Sequence, residues 1–183
     1  MNVPDHLQES VLILRCQAGD EGAFEEIVST YGPRLRYFLL KLLAGSDGVE
    51  DIVQEVWLDV YRGLARLRRP GSFRAWLYRI ARDRAARVLR GARPRPEHLG
   101  NEPLATSEPD GEPFTAEDAE RIHAGLDRLS TEHREVLVLR FIEDLSYDEI
   151  AQITGSRVGT VKSRIHHAKR LLRRQIEGMN GHG

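Results

Sequence analysis

A chain of 183 residues with 40% hydrophobic side chains supports one medium domain or two small ones, and its formal charge of -1 at pH 7 favours no partner by sign alone. No apolar run approaches the roughly 20 residues that span a bilayer. The start, MNVPDHLQESVLILRC, lacks the order of basic, apolar and small residues found in a secretory leader. A cytoplasmic protein with no intrinsic membrane association is therefore expected. Cys16 is the only cysteine, which excludes an internal disulfide, and the histidines show no zinc-site spacing. Adjacent His166 and His167 would point about 100° apart on a helix, a poor geometry for sharing a metal. Neither metal nor other cofactor is expected.

The near-zero charge is a cancellation. Residues 1–61 hold four basic and eleven acidic side chains; residues 62–95 hold twelve basic ones and a single acid, Asp83. From 96 to 120 there are eight acids and no base, and from 155 onward seven bases stand against one acid. Solvated helix faces would account for one such block. Two basic blocks separated by an acidic one suggest two surfaces that meet a polyanion.

Taken in chain order, AFEEIVSTYGPRLRYFLLKLL predicts two helical segments broken near Gly32-Pro33, because proline lacks the N–H that a helix interior needs. Val49, Ile52, Val53, Val56, Trp57, Val60, Tyr61 and Leu64 then follow the three-four spacing of one amphipathic helix. Asp51, Gln54, Glu55 and Asp59 lie opposite that stripe and form a polar, acidic face suited to a basic helical partner. Asp51 with Glu55 could also suggest a metal-dependent enzyme, but the histidine partners are missing. After the turn RLRRPGS (66–72), Phe73, Trp76, Leu77, Ile80, Ala81 and Val88 mark the next apolar stripe. Trp76 sits on the stripe and reads as core, whereas Tyr78 lies off it and reads as the better candidate to touch a ligand.

The segment 91–114 contains five prolines and no apolar periodicity, which predicts an extended acidic linker. It separates an N-terminal part, 1–90, from a C-terminal part, 115–177, with a disordered tail at 178–183. No convincing strand alternation appears, so the fold class is all-α: two small helical domains joined by a flexible linker.

In the C-terminal part, Ser146 with Glu149 forms a capping box that fixes a helix start. Gly155 suits the left-handed residue that ends that helix. A second helix carries Val158, Val161, Ile165, Ala168 and Leu172 on one stripe, with Arg157, Thr160, Lys162, Ser163, Arg164, His167 and Arg170 on its other faces. Two short helices joined by a tight glycine turn, the second basic outside, match a helix-turn-helix that reads DNA. Residues early in the second helix would reach base edges, and later cations would meet phosphates. The competing reading, a basic helix paired with another protein's acidic face, leaves the coincidence of cap, glycine and basic face unexplained.

LSYDEIAQITGSRVGTVKSRIHHAKRLLR closely resembles region 4 of bacterial RNA polymerase sigma factors of the extracytoplasmic-function (ECF) group. EDIVQEVWLDVYRGL resembles their region 2.2, and FRAWLYRIARDRAARVLR their regions 2.3 and 2.4. The match covers roughly 10–90 and 115–175. The resemblance implies a promoter-specificity subunit, not an enzyme. Asp51, Gln54, Glu55, Leu58 and Asp59 would grip the β′ clamp coiled coil of core RNA polymerase, and region 4 would meet the β flap. Arg66, Arg68, Arg69, Ser72, Arg74, Tyr78, Arg79, Arg82, Asp83, Arg84 and Arg87 would melt and capture the −10 element. Arg157, Thr160, Lys162, Ser163, Arg164, His166, His167, Lys169 and Arg170, within the helix-turn-helix 146–170, would read the −35 element. It also implies an anti-sigma factor, and a linker that threads through polymerase. Two departures stand out. Asp83 replaces a common Asn and could pair with Arg79 or Arg87. Ser156-Arg157 replaces a hydrophobic-proline pair at the turn. The rival class is a free-standing helix-turn-helix transcription regulator, which would bind duplex DNA without polymerase.

Overall fold

Helix signals in the sequence translate directly into boundaries. In the computed structural model, which describes residues 6–45, 48–92 and 119–180, helix α1 spans His6–Gln17 and α2 spans Glu21–Leu42. The Asp20 side chain caps α2 by accepting from the Ala23 N–H at 3.1 Å. Contrary to the predicted break, α2 runs unbroken through Pro33. A proline inside a helix costs about 3 kcal/mol. Tyr31, Leu35, Phe38 and Leu39, buried on both sides of it, outweigh that at about 1.5–3 kcal/mol each.

Helix α3 (Val49–Leu64) starts behind Gly48, whose φ of +90° lies in the left-handed region that favours glycine. A 3₁₀ turn at Pro70–Ser72 leads into α4 (Phe73–Ala92). Helices α3 and α4 approach so closely that a Cβ on Gly63 would stand 2.8 Å from Cζ2 of Trp76. Trp76 is half-buried there, as its place on the stripe predicts. Tyr61 and Val88 depart from their stripes and are 68% and 43% exposed, because each lies at the margin of the apolar arc. Gln17 closes this body by donating from Nε2 to the carbonyls of Leu64 and Leu67, both at 2.9 Å.

The C-terminal body comprises α5 (Ala119–Asp127), α6 (Thr131–Leu137), a π-helical turn (Val138–Ile142), α7 (Tyr147–Thr154) and α8 (Val158–Asn180). Helix α8 thus continues to Asn180, past the end expected at 177. No strand occurs among the described residues. The expected linker falls almost wholly on 93–118, outside the described residues.

The two bodies pack against each other. Helix α7 lies on α4 and α6 lies on α2, and buried side chains of both bodies form one continuous apolar cluster. Arg134 ties the seam from the C-terminal side: its guanidinium donates to the carbonyls of Leu126, Asp127, Leu129 and, across the seam, Lys41. Lys41 in turn donates to the Asp127 carboxylate at 2.7 Å.

Candidate functional site

Three surfaces carry the chemistry that the sequence singles out. On α3, Asp51, Gln54, Glu55 and Leu58 are exposed on one side of the helix, and Asp59 is half-buried beside them. Arg84 of α4 reaches across to this face, with Nη1 2.6 Å from Glu55 and Nη2 2.5 Å from Asp59. The hydrogen bond to Asp59 leads in holding the Arg84 guanidinium above its ordinary pKa. Arg84, expected on the DNA surface, therefore serves the acidic face in this arrangement: the α3–α4 contact at Gly63 brings the two helices within reach of a guanidinium.

The second surface is the 3₁₀ turn with α4. Arg66, Arg68, Arg69, Arg79, Asp83 and Arg87 are exposed. Ser72 is half-buried and donates from its hydroxyl to the Arg69 carbonyl at 2.8 Å, which shapes the turn. Among the described residues, Asp83 forms no ion pair with Arg79 or Arg87.

Three neighbours on α4 depart from the expected exposure. Tyr78 is fully buried, its ring set edge-on to Phe38 with centroids 5.2 Å apart. Its hydroxyl donates to the Glu143 carboxylate. Arg74 is 7% exposed, lies 3.2 Å from Glu9 and donates to the Glu143 carbonyl at 3.2 Å. Arg82 is half-buried and donates from Nε to Glu135 at 2.7 Å. The physical reason is common to all three. Periodicity identifies the stripe that a helix turns toward its own body, whereas α4 is also reached from other sides, by α7 and by Glu143 just before it, by Glu135 of α6 and by Glu9 of α1.

Sequence reasoning missed the carboxylates and cations at this seam: Glu9, Arg34, Arg134, Glu135 and Glu143. Glu143 is buried, with Arg34 Nε 3.6 Å from its carboxylate. Burial pushes the Glu143 carboxyl up, against the opposing pull of Tyr78, Arg34 and Arg74. Burial likewise raises Glu135, opposed by Arg82, and drives the Tyr78 phenol well above its ordinary value, which keeps it a donor. The one available signal was Arg134-Glu135 set against the apolar run Val136-Leu137-Val138-Leu139, where charges are unusual.

The third surface is the helix-turn-helix. Ser146 and Glu149 form the expected reciprocal box: Ser146 N–H donates to Glu149 at 2.8 Å and Glu149 N–H to Ser146 Oγ at 3.3 Å. Gly155 ends α7 at φ +65°. Val161, Ile165, Ala168 and Leu172 are buried. Arg157, Lys162, His166 and Arg170 are exposed, while Thr160, Ser163, Arg164, His167 and Lys169 are half-buried. Arg164 lies 3.2 Å from Ser156 Oγ and from Glu132. The Lys162 ammonium stands 5.7 Å from the Tyr147 ring centroid and Lys169 5.6 Å from that of Phe141.

Residues 27–95 match the family model for Sigma-70 region 2, and residues 119–172 match that for Sigma-70 region 4. The chain is 30% identical over 185 residues to the ECF RNA polymerase sigma-E factor of Haemophilus influenzae, covering 94% of this chain and 97% of that one. The chain belongs to the ECF sigma factors. It is also 31% identical to the RNA polymerase sigma-H factor of Pseudomonas aeruginosa, over 93% of this chain and 94% of that one. Among solved structures, CnrH in complex with the cytosolic domain of CnrY superposes with a TM-score of 0.66 at 25% identity, covering 95% of this chain and 99% of CnrH. The sigma factor RpoE of Bartonella quintana, solved with the anti-sigma factor NepR, shares the fold at a TM-score of 0.65 and 24% identity, over 84% of this chain and 96% of that one. As an ECF sigma factor, the chain binds core RNA polymerase and directs promoter-specific initiation, which sets aside the free-standing regulator. No described helix is long and apolar enough to cross a membrane.

Proposed function

We propose that the three surfaces divide the work of initiation. The α3 face, with Asp51, Gln54, Glu55, Leu58 and Asp59, docks on a basic helical element of core polymerase, the β′ clamp coiled coil. The 66–72 turn and α4 receive the melted −10 strand, with Arg66, Arg68, Arg69, Arg79 and Arg87 neutralising phosphates and Ser72 and Asp83 beside them. The N-terminal half of α8 reads −35 base edges through Arg157, Thr160, Lys162, Ser163 and Arg164. His166, His167, Lys169 and Arg170 follow the groove wall, and region 4 meets the β flap.

The sorting of exposed charge carries this reading. Acids line α3, while cations line the 66–72 turn, α4 and α8, although the chain as a whole carries almost no net charge. Binding energy stabilises opened DNA and polymerase performs the covalent chemistry, so the chain itself is not an enzyme, and it works in the cytoplasm where its polymerase is. An anti-sigma factor controls it, in keeping with the two similar folds solved with CnrY and NepR.

The test is charge reversal on α3. Asp51→Lys/Glu55→Lys should lose co-purification with core polymerase and run-off transcription while helical circular dichroism stays unchanged, since both side chains are exposed. Retained co-purification would remove α3 from the docking surface.

A further inference from the structure

The seam between the bodies takes up three side chains that the resemblance to sigma region 2 implies for the −10 strand and that the exposed set on α4 does not include. Glu143 is delivered to it by unusual backbone: the π-helical turn Val138–Ile142 shifts the hydrogen-bond register, Glu143 N–H donates to the Val138 carbonyl at 3.1 Å, and Asp144 follows at φ +51°. π-Turns of this kind occur often at functional sites. At the seam, Glu143 accepts from Tyr78 and lies near Arg34, its carbonyl accepts from Arg74, and Glu135 accepts from Arg82. Arg34 also donates to the Ile142 carbonyl. On α4, Tyr78 and Arg82 donate to these two carboxylates and Arg74 to the Glu143 backbone carbonyl, and closure thereby withholds from the strand three donors that the resemblance to sigma region 2 implies for it.

We propose that Glu143 and Glu135 are an internal stand-in for the nucleic-acid strand: they hold the C-terminal body closed over α4 by taking the donors that a melted strand would take, so closure and strand capture exclude each other. The proposal rests on the reading of α4 as the strand surface. A carboxylate and a phosphate present similar paired oxygens to a guanidinium, so one can substitute for the other. The seam suits a latch better than a permanent weld. Buried ion pairs return little net stability, because desolvation of both partners offsets their attraction. Exchanging Glu143 and Glu135 for phosphates therefore costs little in the ion pairs themselves, and docking on polymerase supplies what is needed to part the apolar surfaces that the two bodies share. The contacts at the other side of the seam, Lys41 with Asp127 and Arg134 with the Lys41 carbonyl, use none of the strand donors and can persist as a hinge.

The experiment uses the full chain with Glu143→Ala/Glu135→Ala, and Glu143→Gln/Glu135→Gln as the milder pair if the first folds poorly by circular dichroism. Glu21→Ala/Glu25→Ala, on the exposed start of α2, controls for the removal of two negative charges. Small-angle scattering should give a larger radius of gyration for the seam variant only. Anisotropy with a labelled mixed-sequence single-stranded DNA of about 20 nucleotides should show binding at least tenfold tighter than in the control. Adding Arg74→Ala/Arg82→Ala should erase that gain. An unchanged radius of gyration would overturn the latch. So would an opened molecule whose single-strand affinity only equals that of the control. Co-purification with core polymerase, through the untouched α3 face, distinguishes this from failure of the sigma reading, in which parent and variants alike would not hold polymerase.

Discussion

On α4, Arg74, Arg82 and Arg84 are each engaged by carboxylates of the same chain, whereas on α8 Arg157, Lys162 and Arg170 stay exposed. Both helices carry dense positive charge, so composition alone treats them as equals. The difference lies in position. Helix α4 is central, with α3 on one side and α7 on another, and carboxylates from several elements reach its cations: Glu9 of α1, Glu55 and Asp59 of α3, and Glu135 of α6. Helix α8 rests on α5, α6 and α7 by its apolar stripe and leaves Arg157, Lys162 and Arg170 open, with Arg164 paired to Glu132 of α6. A duplex can therefore reach Arg157, Lys162 and Arg170 of α8 without rearrangement and need draw only Arg164 from Glu132, while a single strand must displace internal partners at three cations to use all of α4.

The largest effect that would sharpen this contrast is expected on α8. Lys162→Ala/Arg170→Ala in the reconstituted holoenzyme should weaken promoter binding by about tenfold to a hundredfold at moderate salt and reduce the salt slope by roughly two, one phosphate contact for each lost cation. Filter binding across a salt series measures both. An unchanged slope would mean that these exposed cations do not meet phosphates, and the distinction between open and occupied helices would lose its functional meaning.

A smaller effect is expected on α4. Arg84→Ala removes the bridge to Glu55 and Asp59 on a largely solvent-screened face, so denaturant unfolding should show a loss below about 1 kcal/mol. Arg87→Ala, an exposed neighbour, should stay within about 0.5 kcal/mol of the parent. Equal losses at the two positions would erase the distinction between engaged and open cations on this helix.

How much of this was legible in the sequence follows from the range over which each signal acts. Ser146, Glu149 and Gly155 fix the helix-turn-helix within ten residues of one another, and the structure reproduces the cap and the left-handed turn at those positions. The α3 face was equally readable, since Val56 and Val60 inward and Glu55 outward follow from one helical period. Pro33 shows a local rule yielding to packing: its cost is set against a stripe that continues on both sides of it. Tyr78 and Glu143 show the opposite limit. They are 65 residues apart in sequence, and nothing near either one announces the other. A second buried side on a helix depends on where another body lands, which periodicity does not encode.

The smallest predicted effect concerns the underside of α8. His133 of α6 accepts or donates at Ser130 Oγ over 2.8 Å and stacks on His167 of α8 with centroids 5.1 Å apart. Burial is the main cause that lowers the His133 pKa below its ordinary 6.5, followed by His167; Arg164 acts in the same direction and Glu132 against it. A base whose pKa is depressed by folding binds fewer protons in the native state than in the unfolded one. Its contribution is therefore complete above about pH 6.5 and is lost as pH falls toward the native pKa, with a slope of at most about 1.4 kcal/mol per pH unit. Glu143 and Glu135, whose native carboxyls are raised, push stability in the opposite direction on acidification. The informative quantity is thus the difference between parent and His133→Asn, in which the carboxylate contributions cancel. Unfolding free energies compared between pH 5 and 7 should converge as pH falls. A constant gap would mean that the imidazole stays neutral, or stays charged, throughout that range, and that α8 is held by its apolar stripe without help from the paired rings.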